Sequence, residues 1–246
     1  MKKHNLLALL LALLLLLCGC SGQTESSGTK KLEDLFEKTA ASLAEGHLFF
    51  TGKVTSALAE AKDISFYEAE SEKNTFYKVE VTDDPFGCLP ERTLTVCVLG
   101  NTENFIDRTP LQKGKEYLFD TTLWVQGEEA VLLLPTFYLV LPERQGDALY
   151  YTDQQTTAAV DGSYQDYLDQ LRALAEENGY SAAGVLAAAK TRLESAVERD
   201  SAYFEALEFE TVDSGALNTT IRTAKTLLAK ANAAQPTWEG IEELLK

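Results

Sequence analysis

Residues 13 to 22, "LLLLLCGCSG", place two cysteines one residue apart at the end of an apolar run. Thiols at that spacing suggest three chemistries: a metal chelate, a redox couple or a covalent attachment point. A chelate needs further ligands, and no histidine or acidic residue adjoins Cys18 and Cys20. A redox couple ordinarily takes Cys-x-x-Cys spacing. Attachment is the chemistry that remains. Past residue 20, His47 is the only histidine, so zinc sites built on two or three imidazoles are excluded and any Ser-His-Asp arrangement has one base to use. His47 stands beside a strand start and reads as a structural or solvent-exposed residue. Asp83-Asp84, Asp120 and Glu128-Glu129 supply carboxylates that a glycoside hydrolase would need in pairs. Their placement in turns and on polar strand faces reads first as a solvated acidic surface. No G-x-S-x-G, phosphate-binding loop, H-E-x-x-H or calcium-loop motif occurs, and the sequence calls for no metal and no cofactor.

Cys18 and Cys20 take their meaning from what precedes them. Lys2 and Lys3 form a basic start, and Leu6 to Leu17 is apolar throughout. That run is shorter than the roughly 20 residues a helix needs to span a bilayer, but it fits a signal-peptide core of about 7–15 residues. The following Leu17-Cys18-Gly19-Cys20 resembles the lipobox of bacterial lipoproteins. In that family a small residue precedes the cysteine that is diacylated on sulfur and becomes the first residue after cleavage. The resemblance implies lipidation of Cys20, with Gly19 in the small position. Cys18 as acceptor would put bulky Leu17 there. Residues 1–19 are then a leader that carries Cys18 away, and residues 20–30 are the lipidated cysteine and a flexible tether. The tether, "SGQTESSGTK", is small and polar. It contains a formal S-x-x-K match at Ser27 to Lys30, on a stretch without the rigid scaffold a catalytic pair requires. Two acyl chains anchor stably where one is marginal, so the membrane is the implied partner, through Cys20.

The formal net charge is −16, and it becomes two units more negative if Lys2 and Lys3 leave with the leader. A surface of that sign repels phosphate backbones and excludes nucleic acid as a natural partner. Cys88 and Cys97 remain as a candidate exported disulfide. Geometry pulls the other way: the five extended residues from Arg92 to Cys97 cover about 16 Å, whereas bridged Cα atoms lie about 5.5 Å apart. A bridge and two packed thiols both stay open.

Several elements must position these groups. "KLEDLFEKTAASLAEG" carries Leu32, Leu35, Phe36, Thr39 and Leu43 at helical spacing, which predicts one amphipathic helix over 31–46. From residue 47 the period becomes two. "HLFFTGKVTSAL", "TFYKVEVTD", "RTLTVCVLG", "KEYLFDTTLWV" and "AVLLLPTFYLVLP" predict five strands, with Gly52 marking a bulge or close bend. Together with Leu111, Gly114, Tyr117 and Leu118, these segments resemble the netrin-like, metalloprotease-inhibitor-like OB-fold barrels. The resemblance covers residues 47–142 and implies a small antiparallel barrel. The inhibitors' use of a free N-terminal cysteine amine to chelate zinc does not carry over to a lipidated Cys20. Trp124 shares a face with Leu118 and opposes Tyr117, Phe119 and Leu123, which makes it a candidate binding surface. Residues 143–162 read as a linker, and 163–246 as a helical region, with Ser163 a helix N-cap.

The expected fold is therefore α+β: an N-terminal helix, an OB-like barrel and C-terminal helices. The expected function is that of a lipid-anchored envelope protein at a cell membrane or outer membrane, facing the periplasm or exterior. It would be a non-catalytic binding or scaffolding module for an envelope protein or cell-wall partner. The alternative is an envelope hydrolase using paired carboxylates.

Overall fold

The computed structural model describes residues 29–57, 75–89, 93–98, 111–126, 129–134, 141–152, 157–206 and 214–245. Five strands follow the period-two segments: β2 (Leu48–Ala57), β3 (Thr75–Asp83), β4 (Thr93–Val98), β5 (Glu116–Gln126) and β6 (Glu129–Leu134). They close into a barrel in the order β2-β3-β4-β6-β5-β2. Four ladders are antiparallel, and β4–β6 is parallel, with Val96 opposite Leu132. The expectation of a purely antiparallel barrel is corrected here for a reason of parity. Directions cannot alternate around a closed ring of five, so one ladder must be parallel.

Alternation along each strand fills the lumen. Tyr77, Val79 and Val81 of β3, Leu94, Val96 and Val98 of β4, and Tyr117, Phe119, Leu123 and Val125 of β5 all enter one buried cluster. Gly52 sits at a register shift between β2 and β3. A Cβ there would stand 2.5 Å from Val79 Cγ1, so the close approach of the two strands requires glycine.

Five helices are described: α1 (Thr39–Ala44), α2 (Tyr164–Glu177), α3 (Ala182–Ala206), α4 (Ser214–Ala233) and α5 (Trp238–Leu244). Ser163 caps α2 as its residue type predicts, accepting from the Asp166 N–H while Asp166 accepts from the Ser163 N–H. Val185, Leu186 and Leu193 of α3, Ala224 and Leu227 of α4, and Ile241 and Leu244 of α5 join the lumen cluster. Barrel and helical region thus share one core. No described helix is long and apolar enough to cross a membrane.

Two expectations change. The single helix over 31–46 is a two-residue strand β1 (Lys30–Lys31), a 3₁₀ turn (Leu32–Phe36) and the short α1. Pairing of β1 with Val160 and Asp161 fixes the chain's direction there, and burial of Leu32 and Phe36 then outweighs helical continuity. The stretch 143–162, expected as a connection, carries β7 (Pro142–Gln145), β8 (Ala148–Thr152) and β9 (Thr157–Ser163). These extend the sheet from β5 through β7, β8 and β9 to β1. The result is a second layer over the outer face of β2 and β5. Its core holds Phe49 and Leu118 from the barrel, Leu32 and Phe36 from the N-terminal turn, Leu149 and Val160 from the added strands, and Leu168 and Leu171 from α2.

Candidate functional site

Strand alternation that sends Phe119 into the lumen sends Asp120 outward, into the space between the two layers. His47 directly precedes β2, whose Phe49 is the register partner of Asp120. The two side chains meet there, with His47 Nδ1 2.5 Å from Asp120 Oδ1 and both residues buried. The other ring nitrogen, Nε2, lies 3.4 Å from Glu45 Oε2. Around this pair, the Tyr180 hydroxyl donates to the His47 carbonyl at 2.6 Å, and Arg192 donates to the Glu45 carbonyl. Burial pushes the Tyr180 hydroxyl above its ordinary pKa and pulls the Arg192 guanidinium below its own. An Asp–His pair is the orienting half of a nucleophilic triad. The nearby Ser42 does not complete it: its buried Oγ has no hydrogen-bond partner among the described residues. The pair instead fastens the α1–β2 junction to β5, and Tyr180 and Arg192 tie that junction to the α2–α3 turn and to α3; His47 is therefore buried, not solvent-exposed.

A cavity of about 260 Å³ opens beside this pair, between the layers. Phe49 and Leu118 of the barrel form one wall, and Tyr151 of β8 and Tyr167 of α2 form the other. Asp120 is the buried carboxylate of its lining, while Asp34 and Glu37 stand exposed at the N-terminal turn. Lys30 also lines it, with its ammonium 4.2 Å from the centroid of the Tyr151 ring. Desolvation raises the pKa of the Tyr167 hydroxyl, and the Asp120 charge adds to the rise. Among the described residues, no group of three or more His, Cys, Asp or Glu side chains is placed to hold a metal.

The remaining candidates lie apart from this cavity. Asp83 accepts from the Tyr164 hydroxyl at 2.9 Å, and Tyr164 also shares a 2.7 Å hydrogen bond with Thr51. Asp84 accepts from the backbone N–H groups of Phe86, Gly87 and Leu89 and organises the turn after β3. Desolvation nonetheless raises its pKa, and those N–H groups work against the rise. These aspartates and Asp120 are anchors of the fold rather than the solvated surface that the sequence suggests. Glu128 and the side chain of Glu129 lie outside the described residues, as does Cys20.

Cys88 and Cys97 form no disulfide. Cys88 belongs to the lumen cluster, whereas Cys97 points out of β4 into a small cluster with Phe76 and Val131. Trp124 packs half-buried against that outer cluster, with the Arg199 guanidinium 5.4 Å from its ring centroid. Leu118, on the same strand face, lies instead under the second layer. Of the OB-like signature, Gly114 adopts φ +87° and donates to the Val54 carbonyl at 2.7 Å. Tyr117 enters the lumen, its hydroxyl accepting from the Gln112 N–H.

Sequence reasoning meets Lys30 only as the end of a formal S-x-x-K match in the tether, and it does not single out Tyr151. The signal was present in "RQGDALYY", where Gly146-Asp147 is a two-residue hairpin turn followed by paired aromatics. Comparison with protein-family models, with curated proteins and with solved structures returned no match.

Proposed function

We propose that this chain is a lipid-anchored bacterial envelope protein whose OB-type barrel serves as a non-catalytic binding or scaffolding module for a protein or cell-wall partner. The lipobox-like Leu17-Cys18-Gly19-Cys20 supports the anchor, with Cys20 as acceptor. The order β2-β3-β4-β6-β5-β2 with its single parallel ladder supports the OB-type reading, because a Greek-key barrel of five strands closes in this way.

One observation carries binding over hydrolysis. The interlayer cavity is walled by aromatic rings; of its three carboxylates Asp120 is buried and already engaged by His47, while Asp34 and Glu37 stand exposed at the N-terminal turn. A glycoside hydrolase requires two carboxyl groups about 5–10 Å apart across a cleft. Asp83 and Asp84 are instead turned to Tyr164 and to backbone amides.

Two experiments test this reading. Metabolic labelling with an alkyne-tagged palmitate should mark the wild-type chain and not Cys20→Ala, and the variant should leave the membrane fraction. In-cell crosslinking of the wild-type chain should retain a discrete envelope protein or wall fragment. Hydrolysis of envelope polysaccharide by the purified chain would overturn the non-catalytic assignment.

A further inference from the structure

We propose that the interlayer cavity is a site for an organic amine, with a cationic head and an apolar body of a few carbons. The inference rests on the reading of the body as a binding module and names the class of ligand. Size sets the first limit. At roughly 30 Å³ per water, 260 Å³ holds about nine waters, the bulk of a small aliphatic or aromatic amine.

Charge sets the second. Asp34, Glu37 and Asp120 face one lysine across the cavity, in a chain of net charge −16, so an anion is repelled. A neutral apolar occupant would strip water from Asp34, Glu37 and Lys30 at the rim without offering a charge in return. Ring faces set the third, because aromatic walls attract cations. The chain itself demonstrates the chemistry: Lys30 lays its ammonium 4.2 Å from the centroid of the Tyr151 ring. Lys30 is exposed on a two-residue edge strand, so its side chain acts as a tethered competitor for the ligand's head group.

The amine has two sources, a free small molecule or a lysine-type side chain displayed by a peptide. Calorimetric titration of the full, lipidated chain in detergent separates them, using 1,5-diaminopentane, a short lysine-ended peptide, hexanoate and 1-pentanol as probes. The amines should bind and the acid and alcohol should not. Tighter binding of diaminopentane identifies a free ligand, and tighter binding of the peptide identifies a displayed one. Tyr151→Leu keeps the apolar volume and should weaken amine binding about three- to tenfold by removing a ring face. Lys30→Met should tighten it by about the same factor, an effect that a merely structural cavity would not produce. No heat with either amine, or equal affinity in Lys30→Met and wild type, overturns the inference. Binding of hexanoate or pentanol instead of the amines overturns it while leaving the binding-module reading intact. Capture of an envelope partner by crosslinking, with no amine bound, does the same.

Discussion

Among the described residues, the barrel has two outer faces that differ in thickness. Over β2 and β5, the N-terminal turn, three added strands and α2 bury Phe49, Leu118 and a set of polar anchors. Over β3, β4 and β6, Phe76, Cys97 and Val131 form a thin cluster in which Trp124 and Leu133 stay half-buried. Both faces arise from the same alternation along the same strands. β5 contributes to each, with Leu118 and Asp120 near one end and Trp124 near the other. What distinguishes them is where distant chain returns. A covered face can hold buried charge, because neighbouring layers supply partners for it, and a thin face cannot. That is why the Asp–His pair and the cavity lie on the thick side.

Mutation should make this difference measurable. Asp120→Ala leaves buried His47 without its carboxylate and should cost about 3–5 kcal/mol in chemical denaturation. A loss near zero would mean that the thick side is not held by its polar anchors. Leu149→Ala, at a fully buried position of the added strands, should cost about 3 kcal/mol. A much smaller loss would show β7–β9 to be peripheral to the fold.

Alkaline pH offers a third handle. Burial raises the pKa of Tyr164 and Tyr167 in the thick layer and of Tyr180 packed against it. The folded pKa exceeds the unfolded one, so the unfolded chain loses these protons first. The stabilisation is therefore complete below about pH 10, the ordinary tyrosine value, and is lost as pH rises beyond it. Denaturation midpoints across that range should fall, with amide exchange accelerating in α2. Unchanged midpoints would show the hydroxyls to be solvated. Smallest of all, Trp124→Ala on the thin face should cost about 1–2 kcal/mol, since the ring is half-exposed and its main polar contact is Arg199. A loss matching Asp120→Ala would erase the contrast.

The barrel was legible because its strands announce themselves: Tyr77, Val79 and Val81, or Leu94, Val96 and Val98, alternate as a one-sided strand must. The anchoring cap Ser163 was equally local. The second layer was not legible, because β7 to β9 place only Leu149 and Val160 in its core. Strands that contribute two apolar anchors look like a connection, although the Gly146-Asp147 turn marks a hairpin. Nor did the sequence pair His47 with Asp120, 73 residues apart. Such a contact depends on β2–β5 register, and composition carries no information about register. Likewise, alternation put Trp124 outward but left open which outward residues a later segment would cover.

The shared core has a bearing on how the molecule comes into being. The core that the barrel strands build is completed by Ala224, Leu227, Ala231, Ile241 and Leu244, from the last described helices. A chain still emerging from the ribosome possesses every barrel strand long before it possesses those side chains. Until they arrive, the buried side chains of the barrel lack part of their cover. Acquisition of the native state is thus deferred until α4 and α5 have been made, and a product lacking them would leave one side of the shared core uncovered.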